Sequence, residues 1–357
     1  MQRVGCIRKR FDSHCNPHSW HKRYPSCSFR NQFRSAPRTR LKNGATIPAS
    51  SGQKPVPKPF PMSAFHREIG LTLYRWATAR TRARLSASFA QQKRFPASVF
   101  FYHRVATHSM NGWSIQKRNF ERQLDWMLKN TSTVSLDKVF DSQILGTRAE
   151  PMVAITFDDG YAENCEHAIP ALIERSIPCT YFVATHFVET GTPFPHDVAR
   201  GVRLRPNTIE EIKNLADQGV QIGAHSHTHR DLGRPLNEAF LKAEITDVRK
   251  RLQDWTGQSI DYFAFPFGLK QNISQEAIDV VFESGFKCFV SAAGGINWPG
   301  QNATHLQRIH GDPGMATMKN WLTLDPRKIR SKSPIEFEVR ARNSQSAIVP
   351  KPLSSFH

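Results

Sequence analysis

The sequence predicts an α/β fold, a distorted barrel of seven parallel strands and their helices, (β/α)7 in outline. Three observations point there. From about residue 97, short β-branched or aromatic runs alternate with amphipathic stretches, which implies a parallel sheet covered by helices. Seven such runs are too many for a small open sheet and suit a closed one. The polar exceptions within the runs fall at their C-terminal ends, which a barrel gathers on one rim, where catalysis sits.

The runs are SVFFYH (98–103), MVAITF (152–157), CTYFVA (179–184), VQIGA (220–224), YFAF (262–265), FKCFVS (286–291) and HLQRI (305–309). Helices are expected near 117–130, 163–175, 208–218, 237–256 and 273–284. In the first, Phe120, Leu124, Met127 and Leu128 fall on one face. Asn207 or Thr208 can cap the third, with Glu210 and Glu211 in its first turn, where the helix dipole favours acids. His103 ends the first strand, Asp158 and Asp159 follow the second, and His225 follows the fourth. No internal repeat is evident.

The chain has 357 residues and a formal charge of +19, which by itself suggests a polyanionic partner. The charge is unevenly placed. Residues 1–95 hold 20 Lys and Arg against two acids, Asp12 and Glu68, leaving only +1 for the rest. The expected nucleic-acid interface, basic residues interleaved with aromatics on a folded face, is missing, so no specific nucleic-acid partner is predicted. Residues 1–61 are rich in Arg, Ser and Pro without apolar periodicity, and read as a disordered basic leader. A polyanion-binding arm and a transit peptide are open readings of it. We favour a third, a start assigned too early, with Met62 as the true one. Residues 62–96 read as a basic helical lead-in whose stripe is Ile69, Leu73, Trp76 and, less regularly, Leu85. The catalytic domain is expected over 97–325 and a polar tail over 326–357. No run approaches the roughly 20 apolar residues of a membrane span. The start lacks a secretory signal's apolar core. The expected location is therefore cytoplasmic or peripheral to a membrane. Cys6, Cys15 and Cys27 lie in the leader, while Cys165, Cys179 and Cys288 are scattered, as suits reduced thiols.

Two segments carry chemistry. ITFDDGY sets two carboxylates side by side where a strand turns, an arrangement that is costly to desolvate unless a cation or proton is shared. GAHSHTHRDL sets His225, His227 and His229 within five residues, and a spacing of four can bring two imidazoles to one ion. Taken singly, a solvated Asp-Asp-Gly turn and a His-rich surface turn are the plain alternatives. Both segments at one rim favour a metal site, since two His and one carboxylate form a catalytic zinc set. Ser226 follows His225, so this is not HExxH. An iron oxygenase built on two His and one carboxylate would leave one of the adjacent Asp residues without a task. A hydrolase uses both, one on the metal and one to take a proton from water.

VAITFDDGY, IGAHSHTH and YFAFPFG together resemble the polysaccharide deacetylase (NodB-like) family, carbohydrate esterase family four, over about residues 97–310. The resemblance implies that Asp158 is the catalytic base. It likewise implies that Asp159, His225 and His229 hold one divalent ion, usually zinc. Ser226 would steady the histidine loop, and His227 would be a filler. The implied substrate is an N-acetylated glycan. The family's usual RPPY motif is here Ala264–Phe265–Pro266–Phe267, so its Arg and Tyr hydroxyl are missing. A backbone N–H at Phe267 remains able to bind an oxyanion. The FxFPFG form and the FFYHRV strand at 100–105 resemble a subgroup acting on exopolysaccharides and related N-acetylglucosamine polymers. Against the family's usual pattern the strand order reads as circularly permuted, without the late LxH motif. His103 is then expected as general acid, with His310 the competitor. Trp298 is a candidate sugar platform or a packing residue. Asp197 reaches the rim or begins a helix, and Arg308 replaces the missing bracing Arg or pairs with a surface acid. The rival function is a catalytically silent carbohydrate-binding barrel, against which the intact Asp158 argues.

Overall fold

A computed structural model of the chain describes residues 64–301, 303–311 and 314–329. The leader at 1–61 and the tail beyond 329 lie outside the described residues.

Seven strands form the barrel: β1 (Ala97–Tyr102), β2 (Met152–Phe157), β3 (Cys179–Val183), β4 (Gln221–Ala224), β5 (Tyr262–Ala264), β6 (Cys288–Ser291) and β7 (His305–His310). All pair in parallel and in chain order, and β1 closes the ring by pairing with both β2 and β7, at Val99↔Ala154 and Val99↔Arg308. The seven expected runs supply these seven strands, with ends shifted by a residue or two. The expected (β/α)7 barrel is therefore the fold observed.

Alternation along the strands sorts the core into two layers. Ala97, Val99, Ala154, Phe182 and Leu306 point inward with Tyr262, Ala264 and Val290. Phe100, Tyr102, Ile155, Phe157, Tyr181 and Ile309 point outward and are covered by helices. Thr156, Asp158 and Arg308 continue the inward alternation, so the strands themselves aim polar groups at the barrel mouth. The opposite mouth is stoppered by helix Leu136–Leu145, whose Leu136 and Val139 join the inner layer. Ser135 caps that helix, and Tyr262 donates to its Asp137 at 2.7 Å.

Local chemistry explains most boundaries. Thr208, not Asn207, caps helix Ile209–Asp217, in a capping box with Glu211. Asn237 and Ser274 cap the next two expected helices. The expected helix 163–175 is two, Glu163–Glu166 and Ala168–Glu174, broken at His167. Pro170 has no N–H to donate to the Glu166 carbonyl and crowds it. In helix Lys117–Asn130, Phe120, Leu124 and Met127 are buried while Leu128, at the stripe's edge, is exposed. The lead-in forms two helices, Ala64–Ala77 and Ala79–Gln91, but its predicted stripe faces outward: Ile69, Leu73 and Trp76 are exposed. A helical turn, Pro326–Ile329, still packs on the core, past the boundary expected at 325. Cys165, Cys179 and Cys288 are free thiols, and no described helix is long and apolar enough to cross a membrane.

Candidate metal and catalytic site

The second strand delivers two carboxylates in opposite directions. Asp158 extends the ladder by one bond, its N–H donating to the Tyr102 carbonyl at 2.9 Å, so its side chain stays inside the barrel. Asp159 then takes φ 75° and Gly160 φ 101°, turning the chain away over the rim. Of eight non-glycine residues with positive φ among the described residues, four (Asp159, Ser226, His229 and Phe267) stand at this rim. Backbone strain concentrated in this way marks sites the surrounding structure must hold in place.

Asp158 is buried and gripped by Arg308 through two parallel bonds, Nη1 to Oδ1 at 2.6 Å and Nη2 to Oδ2 at 2.8 Å. Arg308 is itself fully buried, fixed by the Ser291 carbonyl and Thr156 and flanked by the rings of Phe101 and Phe182. Of the two readings of Arg308, the bracing one is correct. Burial pushes the Asp158 pKa up, but the Arg308 charge outweighs it and holds the group below the ordinary carboxylate range.

Asp159 faces imidazoles instead. Its Oδ1 lies 3.5 Å from Nε2 of His225 and 3.2 Å from Nε2 of His229. The three donor atoms lie within 4.8 Å of one another. His225 Nδ1 donates to the Ala264 carbonyl at 2.8 Å, so a neutral ring turns its Nε2 lone pair toward Asp159. In that state Asp159 Oδ1 is buried without a hydrogen bond. A proton on the imidazoles or a shared cation satisfies it. In the protonated case, burial raises the Asp159 pKa but the bonds from His225 and His229 carry it well below the usual range. Burial likewise lowers that of His225, yet the two carboxylates bring it above its ordinary value. Two imidazoles and a carboxylate, converging with room for water and substrate, are a donor set for a divalent ion such as zinc.

The histidine loop is held by residues the sequence reading partly missed. Ser226 Oγ accepts the His229 N–H at 3.0 Å, as expected of it. Glu244 was not foreseen. It is buried, accepts the N–H groups of His227 and Thr228, and takes the Thr228 hydroxyl at 2.6 Å. Its signal was legible: an acid on the apolar face of helix Glu238–Thr256, between Leu241 and Val248. His227 points away, toward Thr185 and Arg251.

These groups open into a cavity of about 290 Å³. His103 lines it, its Nδ1 buried without a hydrogen bond, and its ring sits 5.8 Å from that of His310. His310 does not line it. Phe267 does, at the centre of a tight turn in which the Gly268 N–H donates to the Pro266 carbonyl at 2.7 Å. Gly268 is required there: a Cβ would come within 2.6 Å of the Ala292 nitrogen, at φ 62°. The far wall holds Trp113, His196 and Arg200, none of them singled out from sequence, with Arg200 stacked 4.0 Å over Trp113. Asp197 is buried beneath them, accepting from Tyr161 at 2.7 Å and Asn111 at 3.1 Å. Trp298 is a correction. It follows Asn297, which pairs with Ala97 at the start of β1, and it packs 5.2 Å from Phe89. That is the opposite end of the barrel.

The closed parallel barrel carries on its C-terminal rim a donor set that could hold a metal ion, beside a braced carboxylate. Known proteins agree. The profile of the family described as polysaccharide deacetylase matches residues 146–288, from just before β2 to the start of β6. YxkH of Bacillus subtilis is 24% identical over 233 residues, 65% of this chain and 77% of that one. A poly-β-1,6-N-acetyl-D-glucosamine N-deacetylase of Staphylococcus aureus is 24% identical over 219 residues, 59% of this chain and 72% of that one. Among solved structures, IcaB of Ammonifex degensii aligns with a TM-score of 0.54 at 22% identity, covering 64% of this chain and 97% of that one. The Streptococcus pyogenes deacetylase PplD, in complex with acetate, aligns with 0.54 at 20%, covering 64% and 98%. Over residues 146–288 the chain matches the polysaccharide deacetylase family, and its enzyme class is carbohydrate N-deacetylase, a hydrolase of non-peptide C–N bonds.

Proposed function

We propose that the protein hydrolyses the N-acetyl group of N-acetylglucosamine-containing oligo- or polysaccharides, as a chitooligosaccharide or exopolysaccharide deacetylase. One observation carries the reading: a buried carboxylate braced by Arg308 stands beside an Asp/His/His donor set. Asp159, His225 and His229 would hold a divalent ion, zinc by their donor set, which would supply Lewis acidity and acidify water. Asp158, kept ionised by Arg308, takes the proton of the attacking water. The Phe267 N–H donates to the oxyanion as it develops. His103 protonates the departing amine, leaving acetate and a free glucosamine. The cavity wall of Trp113 and His196 seats the sugar, in place of Trp298. The reaction runs in the cytoplasm or at a membrane surface. A silent carbohydrate-binding barrel would have no use for a braced base.

The test measures acetate release and metal content on one sample, across β-1,4- and β-1,6-linked N-acetylglucosamine oligomers. The name of the Staphylococcus aureus relative supports trying the β-1,6 series first. Release matched by new amines is expected from at least one series. A metal-loaded protein that releases none from either would overturn the reading.

A further inference from the structure

The lead-in helices dock on the barrel by one face only. Glu68 accepts the Ala316 N–H, Asn320 donates to the Leu71 carbonyl, Tyr74 donates to Asp325, and Arg82 reaches Asn320 and Thr323. Within the first helix these contacts recur every third residue, at 68, 71 and 74, and leave the other face outward. On that face stand Ile69, Leu73 and Trp76, at i, i+4 and i+7. Trp76, at 81% exposure, is the most exposed large hydrophobic among the described residues. The join at Thr78, with φ −97° and ψ 8°, is bracketed by helical bonds, its N–H donating to the Tyr74 carbonyl at 3.0 Å and the Arg82 N–H to its own carbonyl at 2.9 Å. The same periodicity therefore runs on to Arg80 and Arg84, both exposed. Neither of these two arginines is ion-paired among the described residues, and Glu68, the one acid over 64–96, is turned inward to Ala316.

We propose that this face docks on an anionic lipid bilayer, with Ile69, Leu73 and Trp76 entering the boundary between headgroups and acyl chains and Arg80 and Arg84 meeting anionic headgroups. An exposed apolar row with Trp, bordered by unpaired arginines, has the chemistry of a helix lying in a membrane interface. A second copy of this chain fits worse, because two such faces would bring arginines together with no acid to pair them. The lead-in helix runs alongside helix Met315–Leu322 in the same direction, as the successive contacts Glu68–Ala316 and Arg82–Thr323 show. The bilayer then lies along the barrel's flank, and the catalytic cavity opens along the surface rather than into it.

The test uses the full chain with vesicles of phosphatidylcholine alone or mixed with phosphatidylglycerol. The wild type should co-sediment with the mixed vesicles. Leu73→Ser/Trp76→Ser keeps every charge, the basic leader included, and should weaken binding on the order of tenfold. Arg80→Gln/Arg84→Gln should weaken it less, and chiefly at low salt. The difference in emission between wild type and Trp76→Phe should move to the blue on vesicle addition and be quenched by lipids brominated in the acyl chain. Equal binding by the serine variant would overturn the proposal, since the leader's charge alone would then suffice. So would Trp76 emission that is already blue-shifted without lipid and does not move, which means that a second copy or another segment of this chain covers the face.

Discussion

Two arginines are buried at opposite ends of the barrel, and their partners differ in kind. At the stoppered end Arg148 is surrounded by uncharged acceptors: the carbonyls of Phe95 and Asn297, Ser142 Oγ and Gln143 Oε1. Burial pushes its pKa down to about 10, so it remains a cation at neutral pH, held by dipoles. At the open end Arg308 meets a full negative charge on Asp158. Arg148 ties three chain segments together and leaves nothing over for chemistry. Arg308 fixes a carboxylate in its ionised form at the mouth of a cavity. Burial of a charge therefore does not identify a functional end; the nature of its partner does.

The largest effects should come from the open end. Asp158→Asn should lower kcat/KM by about 10⁴-fold, the upper range for a positioned base, with metal retained. Asp159→Asn, His225→Ala and His229→Ala should abolish activity by emptying the metal site. Elemental analysis of each dialysed variant checks the division of labour. Loss of metal from Asp158→Asn as complete as from Asp159→Asn would show that the two carboxylates are not distinct.

Next in size is the proton donor. His103→Ala should cost roughly 10²–10⁴-fold in turnover with metal content and substrate affinity little changed. His310→Ala, whose ring is close by but outside the cavity, should cost far less. The reverse ranking would move the acid to the last strand.

The two arginines can then be set against each other directly. Arg308→Met should lower kcat/KM by about 10–10²-fold and shift its acid limb to higher pH. The sign follows from Asp158: the active form is ionised and is lost as pH falls through its pKa, which rises once the Arg308 charge is gone. Arg148→Met should leave the pH profile alone and instead cost about 2–4 kcal/mol of stability, by stranding buried carbonyls. Denaturant melts and pH–rate curves on both variants separate the two kinds of loss.

The seven strands and the rim residues His103, Asp158, Asp159 and His225 were legible because strand patterning is local and its polar exceptions stand out. What escaped was set by tertiary partners. The stopper helix Leu136–Leu145 is short, and it earns its place by covering a mouth no local pattern describes. Trp113, His196 and Arg200 converge only through the packing of two loops far apart in sequence. Arg308 was visible as an inward residue of a late strand, but its choice of Asp158 needed the closed ring. The outward stripe of the lead-in helix shows the converse: apolar periodicity identifies a helix face without saying whether protein covers it.

The smallest effect expected on catalysis is at Trp298, which the sequence left as a sugar platform or a packing residue and the fold places at the stoppered end. Its neighbours Asn297 and Gly300 bond to Ala97 and Gln143, and its ring packs edge-on against Phe89, beneath the floor that Arg148 braces. It has no route to a substrate bound at the opposite rim. Trp298→Ala should therefore leave kcat, KM and metal content at wild-type values for every glycan the enzyme accepts. Stability should fall by about 1–2 kcal/mol, less than the 3–5 kcal/mol of a fully buried aromatic because the ring is only partly covered. Trp113→Ala is the matched change at the open end and should raise KM while sparing stability. A raised KM from Trp298→Ala, with Trp113→Ala silent, would mean that glycan reaches the stoppered end and that the contrast between the two mouths is false.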